Sequence, residues 1–103
     1  MNYSEMSDFE IDVAVARIIH PGRKITNFAG EAVVWFGNLE TRIVRYCNSW
    51  ADAGPIIEKN HIDLIWYELD ACWGAHKGMP CAYDNHPLRA AMIVFLMMQE
   101  KKE

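Results

Sequence analysis

With 103 residues, 51% of them apolar and 23% charged, the chain is long enough for one hydrophobic core and too short for two, so a single domain over residues 1–103 is expected. A net charge of −4 argues against a bare nucleic-acid binder, and three cysteines at irregular spacing, Cys47, Cys72 and Cys81, argue against a disulfide framework. The opening residues lack the basic region and apolar run of a signal peptide, and no stretch reaches the ~20 apolar residues of a membrane span, so a cytoplasmic protein is expected.

In chain order, the first helix has a clear start. Ser7 and Glu10 form an S-x-x-E capping box, with Asp8 in the first turn where negative charge is favoured. Phe9, Val13, Ala16 and Ile19 recur near helical spacing, Ile11, Val15 and Ile18 widen the stripe, and Asp12 and Arg17 are expected outside it. His20-Pro21-Gly22 ends the helix. Residues 21–31 read as loop. Residues 32–36, β-prone and bounded by Gly30 and Gly37, read as a strand, and residues 41–46 as a weaker one that pairs with it in a hairpin. Asn48 or Ser49 opens the next helical region, with Asp52 as box partner to Ser49. Gly54-Pro55 favours a short turn over 49–53 followed by a new helix from Pro55, closed by Lys59-Asn60. Residues 61–69 alternate as a strand that turns at Asp70-Ala71 into a second strand, Cys72 to His76. Residues 77–84 read as loop.

The last long segment, Asn85 to Gln99, carries the most information. Pro87 suits a first helical position, with Asn85 or His86 as cap and Asn the better acceptor. From Leu88 to Met98 only Arg89 is polar, so this helix shows no charged face and must be covered by protein: its own sheet and helices, a second copy, or both. Lys101 and Lys102 complement its dipole. Helix, strands, helix, hairpin, helix describes an α+β fold: one small antiparallel sheet of three to four strands, about three helices, and the 87–101 helix packed across the sheet.

Candidate chemistry is sparse. Cys72, His76, Cys81 and His86 follow one another with His61 and Cys47 nearby in sequence, and Cys and neutral His are zinc ligands. No two cysteines sit close together as zinc spacing requires, so a strand cysteine, a surface histidine and a loop cysteine is the simpler reading. Cys81 beside His76 or His86 would be the nucleophilic pair if there were one, but no nucleophile elbow accompanies it. No phosphate-binding glycine loop is present, and no cofactor is expected. Of four tryptophans, Trp35 and Trp66 fit core strand positions, while Trp50 and Trp73 are candidates for exposure and interaction. Residues 1–16 carry four acids and no base. Residues 17–45 carry Arg17, Arg23, Lys24, Arg42 and Arg45 against Glu31 and Glu40, but no short window is strongly basic, so a solvated mixed surface is the preferred reading.

Three blocks, Met1 to Ile11, Tyr46 to Ile57 and Asn85 to Gln99, together resemble the NinX-like family of small proteins of lambdoid bacteriophages and enterobacterial prophages. The resemblance implies a cytoplasmic phage accessory protein. It implies no activity and transfers no site residues. The expected function is therefore a non-enzymatic interaction module, self-associating as a dimer and acting on a host or phage protein. A small metal-binding or Cys/His-dependent enzyme ranks second, and a weak nucleic-acid accessory using the five bases of residues 17–45 ranks third.

Overall fold

The computed structural model describes residues 2–101. After a short 3-10 turn at Tyr3–Glu5, the elements run α1 (Asp8–Ile19), β1 (Lys24–Phe28), β2 (Glu31–Trp35), β3 (Thr41–Val44), α2 (Trp50–Asn60), β4 (Asp63–Tyr67), β5 (Cys72–His76), β6 (Cys81–Asp84) and α3 (Pro87–Lys101). The class is α+β, as expected. Instead of one sheet of three to four strands there are two antiparallel sheets of three, in the orders β1-β2-β3 and β4-β5-β6.

The capping box forms: the Ser7 hydroxyl accepts from the Glu10 N–H at 3.1 Å, and the Glu10 carboxylate accepts from the Ser7 N–H at 2.9 Å. The Ser7 N–H, and after it the Ser7 side chain, bond the Glu10 carboxylate and hold it below its ordinary pKa. The buried stripe of α1 is rotated from the expected one. Ile11, Asp12, Val15 and Ala16 face inward, while Ile18 and Ile19 reach solvent. Asp12, expected outside, is only 6% exposed. It enters the core because its carboxylate satisfies a buried donor, the Cys47 N–H at 3.0 Å, tying α1 to the chain just after β3.

Residues 24–28, expected as loop, form β1. It pairs with β2 through Ala29-Gly30, both with positive φ (52° and 84°), and the Asn27 side chain accepts from the Gly30 N–H at 2.8 Å. That is the mirror-image turn hairpins prefer, built on an alanine where Asn or Gly is usual. The β2–β3 hairpin forms as expected, with Val33 opposite Ile43. α2 is one helix from Trp50 to Asn60 with Pro55 inside it, not a turn followed by a new helix. Ser49 caps its start, accepting from the Asp52 N–H at 3.4 Å. Pro55 is the sixth residue of the helix, and its place there is eased by the preceding Gly54, which has no Cβ for the proline ring to strike.

The β4–β5 hairpin is found where the alternation placed it. Residues 81–84, expected as loop, form β6 on the free edge of β5. α3 packs on β4, β5 and β6 and also against α1 and α2. His86, not Asn85, caps it: the His86 carbonyl accepts from the Ala90 N–H at 3.1 Å, and its ring Nδ1 accepts from the Leu88 N–H at 3.3 Å. Lys102 and the Lys101 side chain, expected to complement the dipole, lie outside the described residues. Leu88 and residues 90–96 are all buried within this chain's own core, so the apolar circumference of α3 needs no second copy to cover it. Arg89 is the one polar group of that stretch. It bonds Asp84 at 2.9 Å, Asp8 at 2.7 Å, and the carbonyls of Ser4 and Met6 at 3.2 and 2.6 Å.

Candidate functional site

Strand parity assigns each sheet an inner and an outer face. In the second sheet Leu64, Ala75 and Ala82 align on the side of α3, while Ile65, Gly74 and Tyr83 align on the other, flanked by Tyr67 and Cys72 at one end and Asp63, His76 and Cys81 at the other. The outer face is organised around Gly74. A Cβ there would stand 2.5 Å from the Tyr67 ring, 2.9 Å from His76 Nε2 and 3.1 Å from the Tyr83 ring. The three rings close over the bare backbone with centroids 5.7–6.1 Å apart, and the Tyr67 hydroxyl meets His76 Nε2 at 3.0 Å. Ile65 (45% exposed) and Tyr83 (54%), itself one of the three rings, are open to solvent on this face. Desolvation and the neighbouring Cys81 thiol push the Tyr83 phenol above its ordinary pKa.

Three of the four Cys/His candidates, Cys72, His76 and Cys81, therefore share one face, but not one point. His76 lies opposite Cys81 in the β5–β6 register. Cys72 is four residues from His76 along the same strand, about 13 Å at the usual rise. His86 is engaged in capping α3, and His61 ends α2 in a left-handed conformation with φ 53°. Cys47 is in the core, where burial and then the nearby Asp12 carboxylate drive its thiol pKa far above the ordinary value. Among the described residues no three His, Cys, Asp or Glu side chains are grouped to hold a metal ion. Cys81 stands on a strand, not a loop, and Nε2 of His76, its register partner, is already bonded to Tyr67.

The tryptophans divide differently from expectation. Trp50, in the first turn of α2, is 57% exposed. Trp73 is half-buried against Trp66, ring centroids 5.5 Å apart. Trp66, expected in the core, is exposed: parity sets it on the inner side, but at the end of the sheet with Trp73 and Asp84. Trp35, also expected in the core, lies half-buried on the outer face of the first sheet, its indole N–H donated to Thr26 at 2.9 Å.

That outer face aligns Thr26, Val33 and Ile43, with Lys24, Trp35 and Thr41 toward one end and Phe28, 67% exposed, toward the other. Beside the Trp35 end stands a basic group. The guanidinium carbons of Arg23 and Arg42 each lie 5.4 Å from the Phe36 ring centre, and the Lys24 ammonium lies 5.4 Å from that of Trp35. His20 meets Phe36 edge-on and approaches Arg42 at 3.4 Å. Its desolvation, with the positive charge of Arg42 and Arg23, lowers its pKa and keeps the ring neutral more readily. Sequence reasoning named these cations but missed Phe28, Phe36, Tyr67 and Tyr83. The one available signal for the Tyr67–Tyr83 cluster was a glycine in the middle of a strand, which marks close approach.

Fold and faces together define a small α+β protein in which two open sheets share a helical core and turn aromatic outer faces to solvent. No helix among the described residues is long and apolar enough to cross a membrane. The family model described as Bacteriophage P22, NinX matches residues 2–99, and the chain belongs to that family. No curated protein matches the chain.

Proposed function

We propose that this NinX-family protein is a non-enzymatic interaction module of the host-cell cytoplasm, and that it self-associates as a dimer through the outer face of its second sheet. The observation that carries the reading is the exposure of Ile65 and Tyr83 on the face whose aromatic cluster is packed over Gly74. Large apolar side chains grouped on one open face favour association. Trp50 and, separately, the Trp66–Trp73 pair offer further contact points for a host or phage protein, aromatic rings being favoured at interface centres. A Cys/His enzyme fits less well. The spread of Cys72 from Cys81 separates the would-be ligands, and the His76 nitrogen is taken by Tyr67.

Sedimentation velocity of the wild-type chain over a wide concentration range tests the proposal. A monomer–dimer equilibrium is expected, shifted to monomer by Ile65→Lys together with Tyr83→Lys. A wild-type monomer at every concentration, or a dimer indifferent to both lysines, would overturn it.

A further inference from the structure

We propose that the first sheet carries a binding site for single-stranded nucleic acid, with phosphates held by Arg23 and Lys24 and bases stacked on the outer face at Trp35 and Phe28. This site is separate from the face proposed for self-association.

Charge is the first support. Residues 17–45 hold five bases and two acids, a balance of +3, while the whole chain is −4, so the remainder carries −7. The acidic total therefore conceals a basic segment; apart from Arg17, which lies in α1, its bases fall in the first sheet and its flanking loops. Of the two acids, Glu31 is paired with Arg45. Glu40 sits in the β2–β3 loop, where its backbone carbonyl is bonded by the Phe36 N–H at 2.8 Å. No ion pair among the described residues involves Arg23, Lys24 or Arg42. Their cationic heads are held over the Phe36 and Trp35 rings instead, and Arg23 is further fixed by donating to the Phe36 carbonyl at 3.1 Å. Cations placed by rings rather than by carboxylates keep their charge available to an incoming anion.

Shape is the second support. Arg23, Lys24, Trp35, Phe36 and Asn38 line a cleft of about 320 Å³ at this end of the sheet. Thr26, Phe28, Val33, Trp35 and Ile43 line a shallow apolar depression of about 340 Å³ across its outer face. Trp35 borders both. The hydrogen bond to Thr26 orients its ring, so the base-stacking surface is set before any ligand arrives. A cationic groove that continues into an aromatic platform is the combination that binds single strands with little sequence preference. A bare polyanion would use the cleft and ignore the platform. A duplex keeps its bases stacked internally and would ignore it too.

The test is fluorescence anisotropy of a labelled 20-nucleotide oligothymidylate titrated with the full chain at low and moderate salt. Unlabelled heparin and a 20-base-pair duplex serve as competitors. Binding is expected with a log–log salt slope of about −1.4, for two phosphates neutralised on a single strand. Arg23→Glu with Lys24→Glu should abolish it. Phe28→Ser, at an exposed position, should weaken it at least about fivefold while leaving heparin binding unchanged, as the loss of one stacked base implies. Circular dichroism of each variant separates lost binding from lost folding. No anisotropy change at low salt would overturn the proposal. So would binding that heparin or duplex competes for equally and that Phe28→Ser does not alter. Neither result bears on whether the chain dimerises.

Discussion

The two sheets share a topology but fill their inner faces in opposite ways. In the first, the strands bring the bulk: Ala32, Val34 and Val44 are buried, with Ile25 beside them, and α1 packs on β1 and β2. In the second, Ala75 and Ala82 with Leu64 make a shallow floor, and α3 brings the bulk, buried at Leu88 and over residues 90–96 and packing on all three strands. A strand need not look strongly apolar if the helix above it supplies the volume. The outer faces differ in kind as well: the first joins cations to rings, the second closes rings around a glycine.

The largest expected effect tests where the bulk resides. Met92→Ala should cost about 2–5 kcal/mol, since the side chain is fully buried and its loss leaves a cavity. Urea unfolding measures the total. Hydrogen exchange should show amides of β5 losing protection before those of β2, and the reverse order would break the comparison. Next is a titratable group found on the α1 side alone. Burial first, and the charges of Asp8 and Glu31 after it, raise Asp12 to about 6, partly offset by the Cys47 bonds. A carboxyl whose folded pKa is raised stabilises the fold while protonated, and that contribution is lost as pH climbs from about 4 through about 6. Asp12→Asn keeps an acceptor for Cys47 and removes the charge. Its stability relative to wild type should therefore rise by about 2 kcal/mol between pH 4 and pH 7. A difference independent of pH would show that Asp12 is not perturbed.

Smaller effects probe the outer faces and turns. Gly74→Val forces a branched side chain into the Tyr67–His76–Tyr83 cluster and should cost about 1–3 kcal/mol, with altered tyrosine near-ultraviolet dichroism. An unchanged spectrum would mean that the rings do not rest on that glycine. Ala29→Asn in the β1–β2 turn should gain about 0.5–1 kcal/mol in thermal unfolding, because asparagine tolerates positive φ better than alanine. A loss would indicate that the turn differs from the mirror-image type.

Residues with strong local chemistry were legible in the sequence: the Ser7–Glu10 box, the β2–β3 and β4–β5 hairpins, and α3 itself. The edge strands were not. β1 turns Ile25 and Asn27 inward, and β6 turns Ala82 and Asp84 inward, the last compensated by Arg89. Neither pattern alternates apolar with polar, because pairing with a central strand rather than burial holds each in place. The Ala29-Gly30 turn lacks the usual asparagine signal. Asp12 misled for a similar reason, its partner being a backbone N–H 35 residues away. Of the faces, the separate cations and cysteines were visible as residues. Their grouping depended on register, which no local pattern displays.

Arg89 bears on how the chain is made. It fastens α3 to Ser4, 85 residues earlier, and α3 also completes the packing of α1, α2 and the second sheet. Every one of those elements leaves the ribosome before α3 does. Loop-closure entropy across so long a separation is spent before any native contact repays it. The nascent chain therefore waits with an open core until α3 has emerged, and over that interval it offers apolar surface to chaperones and proteases alike.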